Sequence, residues 1–124
     1  MTGLSDRRVL VVEDEFYLAR DVARTLQQAG ATVLGPFSRQ AEALVALADA
    51  APECAIIDVN LGSGASFDVA DALCARGVPF LFFTGYDREV IPSRFADVTR
   101  LEKPVDTRHL VRAAEALFEG RESA

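Results

Sequence analysis

Glu13-Asp14, Asp58, Thr84 and Lys103 each stand at or just past the end of a short apolar segment of the chain. Gathered in one place they offer three carboxylates, a hydroxyl and an ammonium. Three carboxylates held close together repel, so either a pKa rises or a cation binds. Oxygen-only ligands select a hard divalent ion, and a few carboxylates with positions left for water and phosphate suit Mg²⁺. A carboxylate beside Mg²⁺, a hydroxyl donor and an ammonium is equipped for phosphoryl transfer. The carboxylate is then the nucleophile, while the metal and Lys103 neutralise charge on the transferring group. Lys103 is the only lysine beside twelve arginines. An ammonium is a compact point charge, whereas a guanidinium fork demands bidentate geometry. Pro104 fixes the backbone directly after Lys103, and the bond between them is a candidate for the cis form.

The elements that must position these groups alternate regularly. VLVV (9–12), ATVLG (31–35), CAIID (54–58), PFLFF (79–83) and VTRLE (98–102) read as strands. Three of them are nearly continuous in apolar residues, as parallel strands covered on both faces are. Between them, Leu18, Val22 and Leu26 recur at helical spacing ahead of Gly30. Ser38 is placed to cap a second helix carrying Ala41, Leu44, Val45 and Ala48. A third runs from about Ser66 through Val69, Ala70 and Leu73 to Gly77. The last begins at Asp106, uses Leu110, Ala113, Ala114 and Leu117, and ends at Gly120. The fourth crossover, DREVIPSRFADV, holds Pro92, which removes a donor and disfavours helix at Ile91, so a short or late turn is expected there.

Five strands separated by helical crossovers predict an α/β fold, a doubly wound parallel sheet in the order 2-1-3-4-5. Ligands in such sheets bind at the carboxyl ends of the strands, near the switch between strands 1 and 3. Strand 2, ending in Gly35-Pro36, is the edge, and the four strands with reactive ends are contiguous. Topology alone therefore brings the five residues together.

The length of 124 residues, half of them apolar, fits a single domain over 1–124 with a core of about 7–120 and no output domain. No apolar run is long enough to span a bilayer and no export signal is visible, so the expected location is the cytoplasm, without membrane insertion. Cys54 and Cys74 lack metal-like spacing and read as reduced, buried and structural. A net charge of −6 with scattered arginines argues against direct nucleic-acid binding. Phe80, Phe82 and Phe83 read as core. Glu15 favours a helix dipole, and His109 reads as a solvated helical residue.

The motifs VLVVEDE, AIIDVNL, FFTGY and LEKP occur in that order over nearly the whole chain. Through them the sequence resembles the receiver domain of bacterial two-component response regulators, and FFTGYDREVIPSRF resembles the stand-alone receivers known for a FATGUY motif. The resemblance implies a flavodoxin-like domain that takes a phosphoryl group from a histidine kinase or phosphotransfer protein onto Asp58. It implies Mg²⁺ held by Asp14 and Asp58, by Glu13 through a water, and by the backbone carbonyl of Asn60. Thr84, Gly85 and Lys103 would hold the phosphoryl group, and Tyr86 is a candidate shield against water. Leu101 stands where many relatives carry an aromatic that rotates on activation. The chain also lacks the usual proline after the phosphoacceptor. The resemblance therefore routes the signal through the segment after Thr84. It puts the output face around the fourth crossover, strand 5 and the last helix, including Arg88, Arg94, Arg100, Arg108 and Arg112.

Three other readings are weighed against this one. A degenerate receiver would bind a partner without phosphorylation, but every required side chain is present. A haloacid-dehalogenase-type phosphohydrolase would need an acid two residues after the nucleophile, where this chain has Asn60. A flavodoxin is disfavoured because Glu13-Asp14-Glu15 would repel a phosphate after strand 1.

Overall fold

A computed structural model describes residues 3–58, 67–84, 91–104 and 106–122, with side chains in the last segment to Phe118. Its elements are β1 (Arg8–Val12), α1 (Phe16–Gln28), β2 (Thr32–Phe37), α2 (Gln40–Ala50), β3 (Cys54–Ile57), α3 (Asp68–Ala75), β4 (Phe80–Thr84), β5 (Thr99–Glu102) and α4 (Thr107–Glu122). The five strands form one parallel sheet in the order β2-β1-β3-β4-β5, as the alternation of elements predicts.

Side chains alternate across each strand, so a continuous apolar run feeds two cores at once. Val9 and Val11 of β1, Leu81 and Phe83 of β4, and Leu101 of β5 face α1 and α4, where Val22, Leu26, Leu110 and Ala114 close the layer. Leu10 and Val12 of β1 and Phe80 and Phe82 of β4 face α2 and α3, meeting Leu47, Val69 and Leu73. Fully burying one such side chain contributes about 1.5–3 kcal/mol, and Leu10, Leu26, Leu81, Phe82 and Phe83 are each under 2 % exposed. The chain before β1 joins the first layer: Leu4 is fully buried in it, and the Gly3 amide donates to Glu115 Oε2 of α4 at 3.1 Å.

Among the described residues, the crossover from β4 to β5 holds a 3₁₀ turn, Ser93–Phe95, with Pro92 just before it. This is the short, late turn that the proline demands. Asp106 does cap α4, its Oδ1 accepting from the Arg108 amide at 2.8 Å.

Three local expectations need correction. α2 starts at Gln40 after Arg39, and neither Ser38 nor another side chain caps it. α4 runs through Gly120 to Glu122, so that glycine does not stop it. Cys54 is buried, but Cys74 is exposed; the buried stripe of α3 is Val69, Ala70 and Leu73, and Cys74 falls one residue past it. No described helix is long and apolar enough to cross a membrane.

Candidate functional site

The parallel ladder continues past the ends of the strands and fixes the backbone of the polar residues. The Glu13 amide donates to Phe37 O at 2.9 Å, the Asp58 amide to Val12 O at 2.8 Å, and the Lys103 amide to Thr84 O at 2.7 Å. Each reactive residue is thereby held by the neighbouring strand at the carboxyl edge of the sheet. Both X-Pro bonds near this edge, Gly35-Pro36 and Lys103-Pro104, are cis.

The side chains converge as the topology requires. Lys103 Nζ lies 2.7 Å from Glu13 Oε1 and 3.1 Å from Asp58 Oδ2. Glu13 and Asp58 are 3 % and 4 % exposed, while Asp14 is open to solvent. Oxygens of all three carboxylates come within 4.8 Å of one another. Thr84 is buried beside them at the end of β4. The Lys103 ammonium also lies 5.2 Å from the centre of the Phe83 ring, an attraction between cation and ring face. Sequence reasoning placed Phe83 only in the core; its position one residue before Thr84 was the available signal for a second role.

Burial dominates the electrostatics. It pushes the Glu13 carboxyl up to about 7, and the charge of Asp58 adds to the rise. The Lys103 ammonium and the Glu15 amide pull the other way. Burial also presses the Lys103 ammonium down, but its bonds and charge contacts with Glu13 and Asp58 outweigh that and leave it raised. Glu13 divides its two oxygens between elements. Oε2 accepts from the Glu15 amide at the start of α1, at 3.0 Å. Oε1 pairs with the Lys103 ammonium at 2.7 Å.

The chemistry of the donor set tests whether a metal belongs here. Oxygens of the three carboxylates lie within 4.8 Å of one another, the two buried ones are paired with a single ammonium, and the set is oxygen-only. Such a donor set fits a hard divalent cation such as Mg²⁺. A cavity of about 670 Å³ opens beside Glu13 and Asp14, lined by Phe16, Arg20, Arg24, Pro36 and Ser38 among others. It gives an approach to the cluster from the α1 side.

Of the residues singled out in the sequence, Glu13, Asp14, Asp58 and Lys103 are brought together, with Thr84 at the adjoining strand end. Leu101 is buried in the α1/α4 layer, paired in register with Phe83 of β4. Pro104 is exposed directly after Lys103. Asn60, Gly85 and Tyr86 lie outside the described residues, as does Arg88.

Comparison with known proteins agrees with this arrangement. Residues 9–115 match the family described as the response regulator receiver domain. The solution structure of SdrG from Sphingomonas melonis Fr1 is 37 % identical, covers 95 % of this chain and 99 % of its own, and superposes with a TM-score of 0.80. SdrG in a BeF₃-activated conformation is 36 % identical with a TM-score of 0.75, over 91 % of this chain and 98 % of the other. The transcriptional regulatory protein PdtaR of Mycobacterium tuberculosis is 26 % identical over 113 residues, 88 % of this chain. This chain spans about half the length of PdtaR, 55 %.

Proposed function

This chain belongs to the response regulator receiver domain family of two-component signalling, and from that membership we propose that it is a receiver phosphorylated on Asp58. The observation that carries the reading is the convergence on one buried spot of Asp58, a second buried carboxylate, an exposed one and the sole lysine. A carboxylate oxygen of Asp58 forms the new O–P bond as the P–N bond of a phosphohistidine donor breaks. The electron pair of that bond leaves with the imidazole.

Asp14 and Asp58, with Glu13 through a water, would hold Mg²⁺, which would supply positive charge beside the transferring group. Lys103 supplies the second cation, turning from Glu13 and Asp58 toward the phosphoryl oxygens. Thr84 donates its hydroxyl to the same group, and the amide of Gly85 completes the cradle. Glu13 and Asp58 are buried, so their charges are screened less than those of exposed groups. The donor is a histidine kinase or phosphotransfer protein, the partner of the modified form is another protein, and the setting is the cytoplasm. SdrG, a similar chain, is described in a BeF₃-activated conformation, which makes beryllofluoride a suitable probe here.

Intact mass after incubation with a small phosphodonor tests the reading. One added phosphoryl group is expected, requiring both Mg²⁺ and Asp58 and lost in Asp58→Ala. Lys103→Ala should cut its accumulation sharply. A parent that neither gains mass nor binds beryllofluoride with Mg²⁺ refutes it in favour of a phosphorylation-independent adaptor.

A further inference from the structure

We propose that the Phe67–Phe95 ring stack and the Asp71–Arg94 ion pair form a junction that couples the state of Asp58 and Thr84 to the β4–β5 crossover. The inference rests on the phosphorylation reading above. Phe67 ends the segment leaving Asp58 and stands at the start of α3. Phe95 ends the 3₁₀ turn in the segment leaving Thr84. Two stretches of chain that depart from the site on neighbouring strands are thus joined again at one contact.

The contact is gripped from two sides. Inside, the rings of Phe67 and Phe95 stack at 5.6 Å and 26°. Phe82 of β4 meets both edge-on, at 6.1 Å and 5.6 Å, and Phe80 meets Phe95 at 6.1 Å. Phe95 is 2 % exposed, so its ring has no open space to slide into, and close-packed rings pass on displacement rather than absorb it. Outside, Arg94 donates Nε and an Nη to the two oxygens of Asp71, each at 3.0 Å. Its guanidinium also covers the Phe95 ring at 4.7 Å.

An exposed ion pair stabilises a fold little. A bidentate one fixes direction as well as distance, and here it sets the orientation of the turn against α3. The turn itself is held by few internal bonds, Phe95 N to Pro92 O, Ala96 N to Ser93 O and Val98 N to Phe95 O, at 2.9–3.0 Å. It moves as a small unit whose position depends on this junction. Arg94, half exposed on the outer side, offers the result to a partner.

Hydrogen exchange read by mass spectrometry on the full chain, with and without Mg²⁺ and beryllofluoride, tests this. Amides of 93–98 in the parent should slow at least about fivefold on binding, the lower range of ordinary coupling between sites. Arg94→Gln changes an exposed side chain and Phe67→Leu keeps apolar bulk, so both fold. Both should still take a phosphoryl group on Asp58, with the slowing reduced to less than half. The charge swap Asp71→Arg with Arg94→Asp should restore it. A merely structural contact would alter exchange equally in the free and bound states and leave the ratio untouched. Full slowing in both variants, or none in a parent that carries the adduct, overturns the proposal. A parent without the adduct overturns the phosphorylation reading itself, and the junction's role falls with it.

Discussion

Replacing Lys103 by Met removes the ammonium shared by Glu13 and Asp58, at 2.7 and 3.1 Å. Both carboxylates are under 5 % exposed, so the substitution leaves buried charge uncompensated. Removing one partner of a buried pair costs about 3–5 kcal/mol. The Lys103 side chain is 19 % exposed, so water offsets part of that, and about 2–3 kcal/mol remains. For 124 residues, an unfolding entropy of about 260 cal/mol/K converts the loss to about 8–12 °C in Tm. The assay is thermal unfolding by circular dichroism at pH 8 with a chelator present, then with millimolar Mg²⁺. The metal binds only the native cluster and should recover at least half of the loss. The double variant Glu13→Gln/Lys103→Met should lose clearly less than the two single losses added, because the pair is one interaction. A drop under about 2 °C with chelator would show that the carboxylates do not depend on the ammonium. Strict additivity in the cycle would refute the pairing with Glu13.

Two further outcomes follow from local geometry. Gly35 has φ +101°, and a Cβ there would sit 2.7 Å from Phe37 N and 2.9 Å from Val11 O; Gly35→Ala should cost more than about 3 kcal/mol. Gly77 has φ +68° with nothing near the added atom, so Gly77→Ala should cost only about 1 kcal/mol, both read as urea midpoints at unchanged slope. Burial, with the Glu53 charge adding to it and Arg7 opposing, pushes the Cys54 thiol up to about 12, whereas Cys74 is exposed. A thiol reagent at pH 8 should therefore modify one cysteine quickly and the second only on unfolding, and a fast-reacting thiol in Cys74→Ser would contradict the burial of Cys54.

The site was legible in the sequence because a parallel sheet aligns its carboxyl ends. Once Glu13-Asp14, Asp58, Thr84 and Lys103 are seen at the ends of four contiguous strands, their meeting needs no further information. Val9 to Val12 show how the fold followed in the same way, since an unbroken apolar run has no solvent face and requires helices on both sides. What stayed hidden depends on contacts between distant residues. The stack of Phe67 on Phe95 joins residues with no periodic relation. The exposure of Cys74 turns on the rotation of α3 by a single position. Ser38 is a good capping residue by type, but the chain is extended through Arg39 and the helix begins one residue later. Gly120 would end an isolated helix, yet α4 continues past it to Glu122.

The clasp between the chain before β1 and α4 bears on how the molecule is made. Leu4 shares a layer with Leu110, Ala114 and Phe118, and the Gly3 amide reaches Glu115. During synthesis, the residues before β1 thus wait for those of α4 before these contacts can form. Until then Leu4 lacks Leu110, Ala114 and Phe118, and only the α1 side of that layer, with Val22 and Leu26, is in place over Val9 and Val11. A fragment ending before α4 can close the layer of Leu10, Val12, Leu47, Val69 and Phe82, but it leaves the opposite layer without one of its two helices.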